Sequence, residues 1–290
     1  MPPTAPDDEL PEPPEPPEDD ELEGPDFEAD EADEAEEPEA GPKEEEAVQG
    51  KGGKIEPDPD EKLLYTETPV PSVDELREAM TWAFEADEIE ESSLDRYAQH
   101  AHMMLEGNKR MNLTAIVEPR EVAAKHYLDA WRATRLLPLM GRTLLDLGTG
   151  AGIPGLVIAI DEPNVRVTLL DSTRKRVEFV QECIDTLGLK NAHTEWARGE
   201  EHLTTNKYDI VIMRALSSVR ENVRLLRKVR HSHKDLVMLK GPAWSREVRA
   251  GEREAERLGF RLVTVSEHDL PEEMGSRAIL VYRAPGGAGE

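Results

Sequence analysis

The spacing of apolar residues changes character near residue 142. Before it, apolar positions recur every three or four residues. Val73, Leu76, Met80, Ala83 and Phe84 share one side of a helix, opened by Ser72 as N-cap with Glu75 three residues on. Leu94, Tyr97, Ala101, Met104 and Leu105 predict a second helix over 94–106, and a third spans 121–137. Residues 107–119 read as a loop, and Pro138 with Gly141 ends the helical part. From Arg142 onward, short apolar runs alternate with helical ones. Strands are predicted at 142–147, 165–170, 193–197, 208–213 and 235–239, with helices at 154–161, 173–187, 218–230 and 245–257. Such βα alternation predicts a parallel, doubly wound α/β sheet that binds ligands at the carboxyl ends of its strands. Two last strands, 261–267 and 277–283, are joined by a loop without helical spacing, so the sheet should end antiparallel. There is no internal repeat.

The first strand runs into Gly148-Thr-Gly150-Ala-Gly152-Ile153-Pro-Gly155, four glycines in a turn followed by an apolar helix. Glycines let the backbone approach a ligand closely, and the amides of the following helix are expected to point at it. The second strand ends in Asp171, where a ribose hydroxyl pair is commonly held. The site should therefore take a nucleoside. Gly150-Ala-Gly152-Ile-Pro-Gly155 fits the dinucleotide pattern G-x-G-x-x-G, a weak signal alone. Asp146-Leu-Gly148-Thr-Gly150-Ala-Gly152 fits the D-x-G-x-G-x-G of S-adenosylmethionine (SAM) methyltransferases. An acid just before the glycines, Asp146, suits a ligand carrying an ammonium and a sulfonium, which favours SAM.

Composition changes the picture mainly at the N-terminus. Residues 1–60 hold 25 Asp or Glu, three Lys, no Arg and 13 of the 22 prolines, a net charge of −22 out of −27. Such a segment buries too little apolar surface to offset its ordering entropy, so residues 1–68 are expected to be a disordered acidic tail. The expected layout continues with a helical segment at 69–140, a methyltransferase domain at 141–284 and a flexible end at 285–290. The acidic total says little about the folded part, which carries only −5. One cysteine, Cys183, excludes an intrachain disulfide and fits a reducing compartment. No apolar run is long enough to span a membrane, and a soluble, cytoplasmic protein is expected. Nothing in the chain calls for a metal or for more than a monomer.

Further segments carry a family resemblance. Asn108-Lys-Arg-Met-Asn-Leu-Thr114 and His126-Tyr-Leu-Asp129 resemble the N-K-x-x-N-L-T … H-x-x-D element of the RsmG (GidB) family. Leu169-Leu-Asp-Ser172, Met213-Arg-Ala215, Leu239-Lys-Gly241 and Gly275-Ser-Arg-Ala-Ile-Leu-Val281 are similar to its later motifs, in the same order. Met213 stands where the family usually has Ser, and the acidic tail is foreign to most members. The resemblance implies a Rossmann-like SAM-dependent methyltransferase with a mostly parallel seven-stranded sheet and an N-terminal helical cap. It implies transfer to N7 of a guanine in 16S ribosomal RNA, with the RNA or the small ribosomal subunit as partner. It also places SAM on Gly148, Gly150, Gly152 and Ile153, on Gly199 and Glu200 after the third strand, and on Arg214 after the fourth. Asp171 would take the ribose. Arg110, Asn112, His126 and Lys240 are candidates for substrate contact.

The remaining chemistry agrees with a ring-nitrogen target. Guanine N7 has a free lone pair, so no general base is needed, and no catalytic residue is assigned. Cys183 lies among Val177, Val180, Ile184 and Leu187 and reads as a packed thiol rather than a C5-methylation nucleophile. Met213-Arg-Ala-Leu216 occupies the place where an adenine-amino methyltransferase carries (Asp/Asn)-Pro-Pro-aromatic. Lys109-Arg110, Arg174-Lys-Arg176 and the run from Arg224 to Lys234 are the basic clusters available for RNA. A methyltransferase for a protein or small molecule, an NAD-dependent oxidoreductase and a non-catalytic nucleotide sensor remain as other readings.

Overall fold

A computed structural model describes residues 63–285; the expected acidic tail therefore falls almost wholly outside the described residues, as does 286–290. Seven strands form one sheet in the order β3-β2-β1-β4-β5-β7-β6. They are β1 Thr143–Leu147, β2 Arg166–Asp171, β3 Ala192–Trp196, β4 Tyr208–Arg214, β5 His233–Lys240, β6 Arg261–Asp269 and β7 Ser276–Arg283. The first five run parallel, and β7 lies antiparallel between β5 and β6. The predicted antiparallel ending is therefore present. The order reverses at β1/β4, which places the ligand crevice of such a sheet beside the glycine turn.

Period-two alternation sorts the central strands into two cores. Leu144, Leu169, Ile210, Ile212 and Val237 face one side, while Leu145, Leu147, Val211, Met213 and Met238 face the other. The first core is roofed by α1 Val73–Ala83, α2 Glu91–Gly107, α5 Gly155–Asp161 and α6 Arg174–Leu187. Helices α8 Val219–Leu225 and α9 Trp244–Arg257 cover the second. Leu76, Met80, Tyr97, Met104 and Tyr127 are buried in the same cluster as Leu144 and Ile158, so the N-terminal helices and the sheet share one core. Ser72 caps α1 through the expected capping box with Glu75.

Three elements differ from the sequence expectation. The predicted helix over 121–137 starts earlier, as α3 Pro119–Val122. It then continues through a π-helical turn, Ala123–Leu128, into α4 Asp129–Leu136. A short helix, α7 Gly199–Thr205, stands between β3 and β4, where the sequence predicts none. Leu203 is its only large apolar residue, so no periodicity announced it, although Glu200 and Glu201 suit its positive end. Finally, α8 stops at Leu225 rather than at 230, and the basic run beyond it forms turns that lead into an earlier start of β5.

Candidate active site

The glycine turn leaves β1 and is held to β2. Gly148 and Thr149 N–H both donate to the Leu170 carbonyl, at 2.9 and 3.0 Å, and Gly150 N–H donates to Asp171 Oδ2 at 3.1 Å. Gly148, Gly150 and Gly152 have φ of +73°, +59° and +94°, conformations that favour glycine. Gly155 is required for a different reason: a Cβ there would lie 2.7 Å from Asp146 Oδ2 and 2.9 Å from Leu169 Cδ2.

Two expectations for this turn need correction. Asp146 does not face the ligand space. Its Oδ2 accepts from Thr149 Oγ1 at 2.6 Å and from Gly155 N–H at 2.8 Å, and the side chain is buried. Burial raises its pKa to about 6, against the pull of those two hydrogen bonds and of Arg214. It locks the turn from below. The helix amides are not free to cradle an anion either. Gly152 and Ile153 N–H donate to the Thr149 carbonyl, Gly155 N–H to Asp146, and Leu156 N–H to the Gly152 carbonyl. A pyrophosphate would find few donors here. The turn therefore lacks the free amides that a dinucleotide pyrophosphate needs.

A cavity of about 220 Å³ opens over the turn, lined by Gly148, Gly150, Ile153, His126, Arg176 and Arg214, among others. Gly152 is not among the lining residues; a Cβ there would meet Leu156 Cδ1 at 2.4 Å and His100 Nε2 at 3.5 Å. Four of the expected cofactor residues, Gly148, Gly150, Ile153 and Arg214, thus share one wall. Asp171 stands at the end of β2, joined to Gly150, with Arg176 Nη1 3.8 Å from its carboxylate. Gly199 opens α7 against β1, where a Cβ would meet Leu147 Cδ1 at 2.3 Å, and Glu200 beside it is exposed. Neither Asp171 nor Gly199 nor Glu200 lines this cavity.

Arg214 ends β4, and Ala215 follows with φ of +51°, a left-handed conformation unusual for alanine. Arg214 Nη1 donates to the Lys125 carbonyl at 3.2 Å and lies 2.9 Å from His126 Nδ1. A guanidinium can only donate, so Nδ1 accepts and the proton of the neutral ring is on Nε2. That nitrogen is 2.8 Å from Thr114 Oγ1, which also accepts from Ile116 N–H. Burial first, and then the Arg214 charge, hold the His126 pKa well below the usual imidazole value. His126 is therefore an orienting group for Arg214 and not an available base. It sits in the π-helical turn, a distortion frequently found at functional sites.

A second cavity of about 360 Å³ adjoins the first, and Arg214 and Ala215 belong to the walls of both. Its other walls include Lys125, Asp129, Lys240 and Arg277. Lys240, a candidate substrate contact, lines this space, but its ammonium is bound to the Ser217 carbonyl and stands 2.9 Å from Glu247 Oε2. It holds the start of α8 in place. Asn112 accepts from Leu64 N–H at 3.2 Å, while Asn108 braces the loop by accepting from Leu113 and Thr114 N–H and donating to the Thr114 carbonyl. Neither Asn112 nor Arg110 lines either cavity.

The sequence reading did not single out His100. It is fully buried on α2, with Nε2 2.9 Å from the Ala151 carbonyl and Nδ1 2.7 Å from Tyr127 Oη. Burial lowers its pKa to about 4, so it is a neutral strut beneath the glycine turn. The available signal was a polar residue on the apolar stripe that carries Tyr97, Ala101 and Met104. The densest basic run is partly spent on structure: Arg224 pairs with Glu254 at 3.2 Å and Lys234 with Asp209 at 2.7 Å. Cys183 is buried and its thiol pKa is pushed up by burial, as a packed side chain requires.

Known proteins decide the family. The family of rRNA small subunit methyltransferase G matches residues 91–274, which include both cavities' principal walls. This chain belongs to that family. It is 34% identical over 189 residues to the ribosomal RNA small subunit methyltransferase G of Solibacter usitatus, spanning 64% of this chain and 88% of that protein. The namesake of Desulforamulus reducens is 34% identical over 203 residues, with 68% and 84% covered. That of Deinococcus deserti is 36% identical over 195 residues, with 65% and 79% covered. The matched family segment begins at the first residue of α2, so the helix carrying His100 belongs to the family unit along with the sheet.

Proposed function

We propose that this protein transfers the methyl group of SAM to N7 of a guanine in 16S ribosomal RNA. Membership in the small subunit methyltransferase G family, across the segment that builds both cavities, carries the reading. Gly148, Gly150, Gly152 and Ile153 would hold the cofactor at the turn, Asp171 its ribose, and Gly199 with Glu200 its adenine side. When bound, SAM supplies an activated methyl for in-line displacement by a nitrogen lone pair.

The residues of the chain then have positioning to do rather than proton transfer. Guanine N7 needs no deprotonation, which agrees with a site whose two buried imidazoles, His100 and His126, are both engaged in hydrogen bonds. Arg214, held by His126 and by the Lys125 carbonyl, stands between the two cavities and fixes the geometry of approach. Arg174, Lys175 and Arg176 begin α6, at the end where the helix dipole disfavours cations. Arg174 pairs with Glu178 at 2.9 Å and Arg176 stands 3.8 Å from Asp171; both guanidiniums stay partly exposed, which suits contact with an RNA phosphate. The small ribosomal subunit is the natural partner for this chemistry, and a cytoplasmic location follows from it. Among the described residues no helix is long and apolar enough to cross a membrane, and no group of acids, His and Cys could hold a metal.

The test uses tritiated SAM, the purified protein, and small subunits or 16S RNA from cells lacking the modification. Nuclease digestion and mass spectrometry locate the label. Label in 7-methylguanosine is the expected result. SAM binding with no RNA labelling would overturn the substrate and direct the search to proteins and small molecules.

A further inference from the structure

The second cavity is lined by cations and carboxylates together. Lys125 and Lys240 line it, but each is paired with its own acid, Glu121 at 2.5 Å and Glu247 at 2.9 Å. Two carboxylates, Asp129 and Glu247, line the same space together with Arg214 and Arg277. Donors and acceptors on one wall suit a neutral heterocycle that offers both. The volume, about 360 Å³, falls within the range of small-molecule sites, roughly 300–1,000 Å³.

Asp129 is the residue of interest. It begins α4, is buried, and lies one turn beyond His126 and Lys125, the two residues that hold Arg214. Its Oδ1 is 3.1 Å from His268 Nε2 on β6, which orients the carboxylate. Its Oδ2 is 4.0 Å from Arg277 Nε, too far for a hydrogen bond, and so keeps accepting capacity on a cavity wall. A buried, oriented carboxylate with a spare oxygen is a reader of paired N–H donors.

We infer that the second cavity receives the target base, and that Asp129 selects guanine by accepting from N1–H and the 2-amino group. This rests on the rRNA methyltransferase reading above. Enzymes acting on a base take the nucleotide out of its stack into a pocket and read its Watson–Crick edge there. Guanine presents two donors on that edge, and N7 lies on the adjoining Hoogsteen edge, separated from N1–H by O6. With N1–H at Asp129, the adjoining edge of O6 and N7 would turn toward Arg214 and Ala215, which line the glycine-turn cavity as well. Arg277 and Arg214 supply donors for O6. Adenine is rejected by the same carboxylate, because its N1 offers a lone pair where guanine offers a proton. His268 and Arg277 are positioning residues in this arrangement.

The experiment replaces the guanosine that receives the label with inosine, which keeps N1–H and N7 and lacks the 2-amino group. Single-turnover methylation of the two RNAs is compared for the wild-type protein and for Asp129→Asn. The wild type should favour guanosine by about tenfold or more, the cost of one lost charge-assisted hydrogen bond. Asp129→Asn should bring that ratio to within about twofold of unity while SAM affinity, by calorimetry, stays within about twofold. Equal rates on both RNAs with the wild type would overturn the inference without any variant being made. So would an Asp129→Asn protein that loses activity on both RNAs in proportion, since a purely structural carboxylate would not alter the ratio. Absence of any labelled guanosine with the wild type would instead defeat the parent reading and take this inference with it.

Discussion

Arg214 donates to His126 Nδ1 across 2.9 Å, and His126 is thereby fixed as a neutral imidazole whose proton is on Nε2. The pair links β4 to the π-helical turn, so the cation at the partition between the cavities is aimed by a helix of the N-terminal cap. His126→Ala should leave Arg214 without its orienting acceptor. A misplacement of about 1 Å at such a site costs on the order of 10²-fold in rate, so kcat/KM should fall by roughly that factor. His126→Gln, which can offer an acceptor oxygen, should recover part of it. Steady-state kinetics on 16S RNA would check this, and equal loss in both variants would show that the imidazole acts otherwise.

Three buried histidines set the pH dependence of stability. His100 and His233 have folded pKa values of about 4, and His126 also lies well below the usual value, each chiefly through burial. The unfolded chain takes up protons near pH 6.5 while the folded one resists, so stability is full above that value. It is lost as pH falls from about 6.5 through about 4. Asp146 opposes this. Its pKa of about 6 means that the folded state gains a proton first, adding stability as pH falls from about 6 toward its unfolded value. Three groups against one leave a net loss, each fully titrating group contributing about 1.4 kcal/mol per pH unit. Urea midpoints should therefore drop between pH 7 and pH 5. A flat profile over that window would mean that these imidazoles are solvated.

Much of this was legible because the informative residues carry local signals. The central strands are runs such as Leu144-Leu145 and Ile210-Val-Ile212, buried on both faces, and such runs read directly as parallel strands. The glycine turn is legible from residue type alone. His100 was not, because its role depends on the Ala151 carbonyl and Tyr127 Oη, brought to it from 51 and 27 positions away in sequence. Asp146 was legible as an acid beside the glycines but not as a buried lock, since direction is a tertiary property. Helix α7 was missed because one apolar residue, Leu203, carries no period.

The glycines on either side of β1 should not be equally sensitive to substitution. Gly141 has φ of +71° but open space around it, so Gly141→Ala should cost only the left-handed backbone, about 1–2 kcal/mol. Gly155 has an ordinary φ but no room, since the new methyl would strike the Asp146 carboxylate and Leu169 beneath it. Gly155→Ala should cost about 1–3 kcal/mol of overpacking and also distort the turn, weakening SAM binding. Denaturant melts with calorimetric titration of SAM would separate the two. A Gly155→Ala protein with normal SAM affinity would contradict the close packing described.

Asp146 offers the sharpest distinction between a lock and a ligand. Both of its hydrogen bonds, from Thr149 Oγ1 and Gly155 N–H, end on the same oxygen, Oδ2. An asparagine whose amide oxygen takes that place keeps both bonds and removes a buried charge. The folded pKa of about 6 says that the carboxylate, though ionised at neutral pH, costs more in the fold than in the unfolded chain. Asp146→Asn should therefore be neutral or stabilising at pH 7.5, by on the order of 1–3 kcal/mol, and the gain in stability between pH 6 and pH 4 should vanish. SAM affinity should change less than about threefold, whereas loss of a direct charge-assisted contact to the cofactor's ammonium would cost tenfold or more. A large loss of affinity with an intact fold would return Asp146 to the ligand side of the turn. Retained affinity would leave SAM recognition to the backbone of residues 148–153, Asp171 and Arg214.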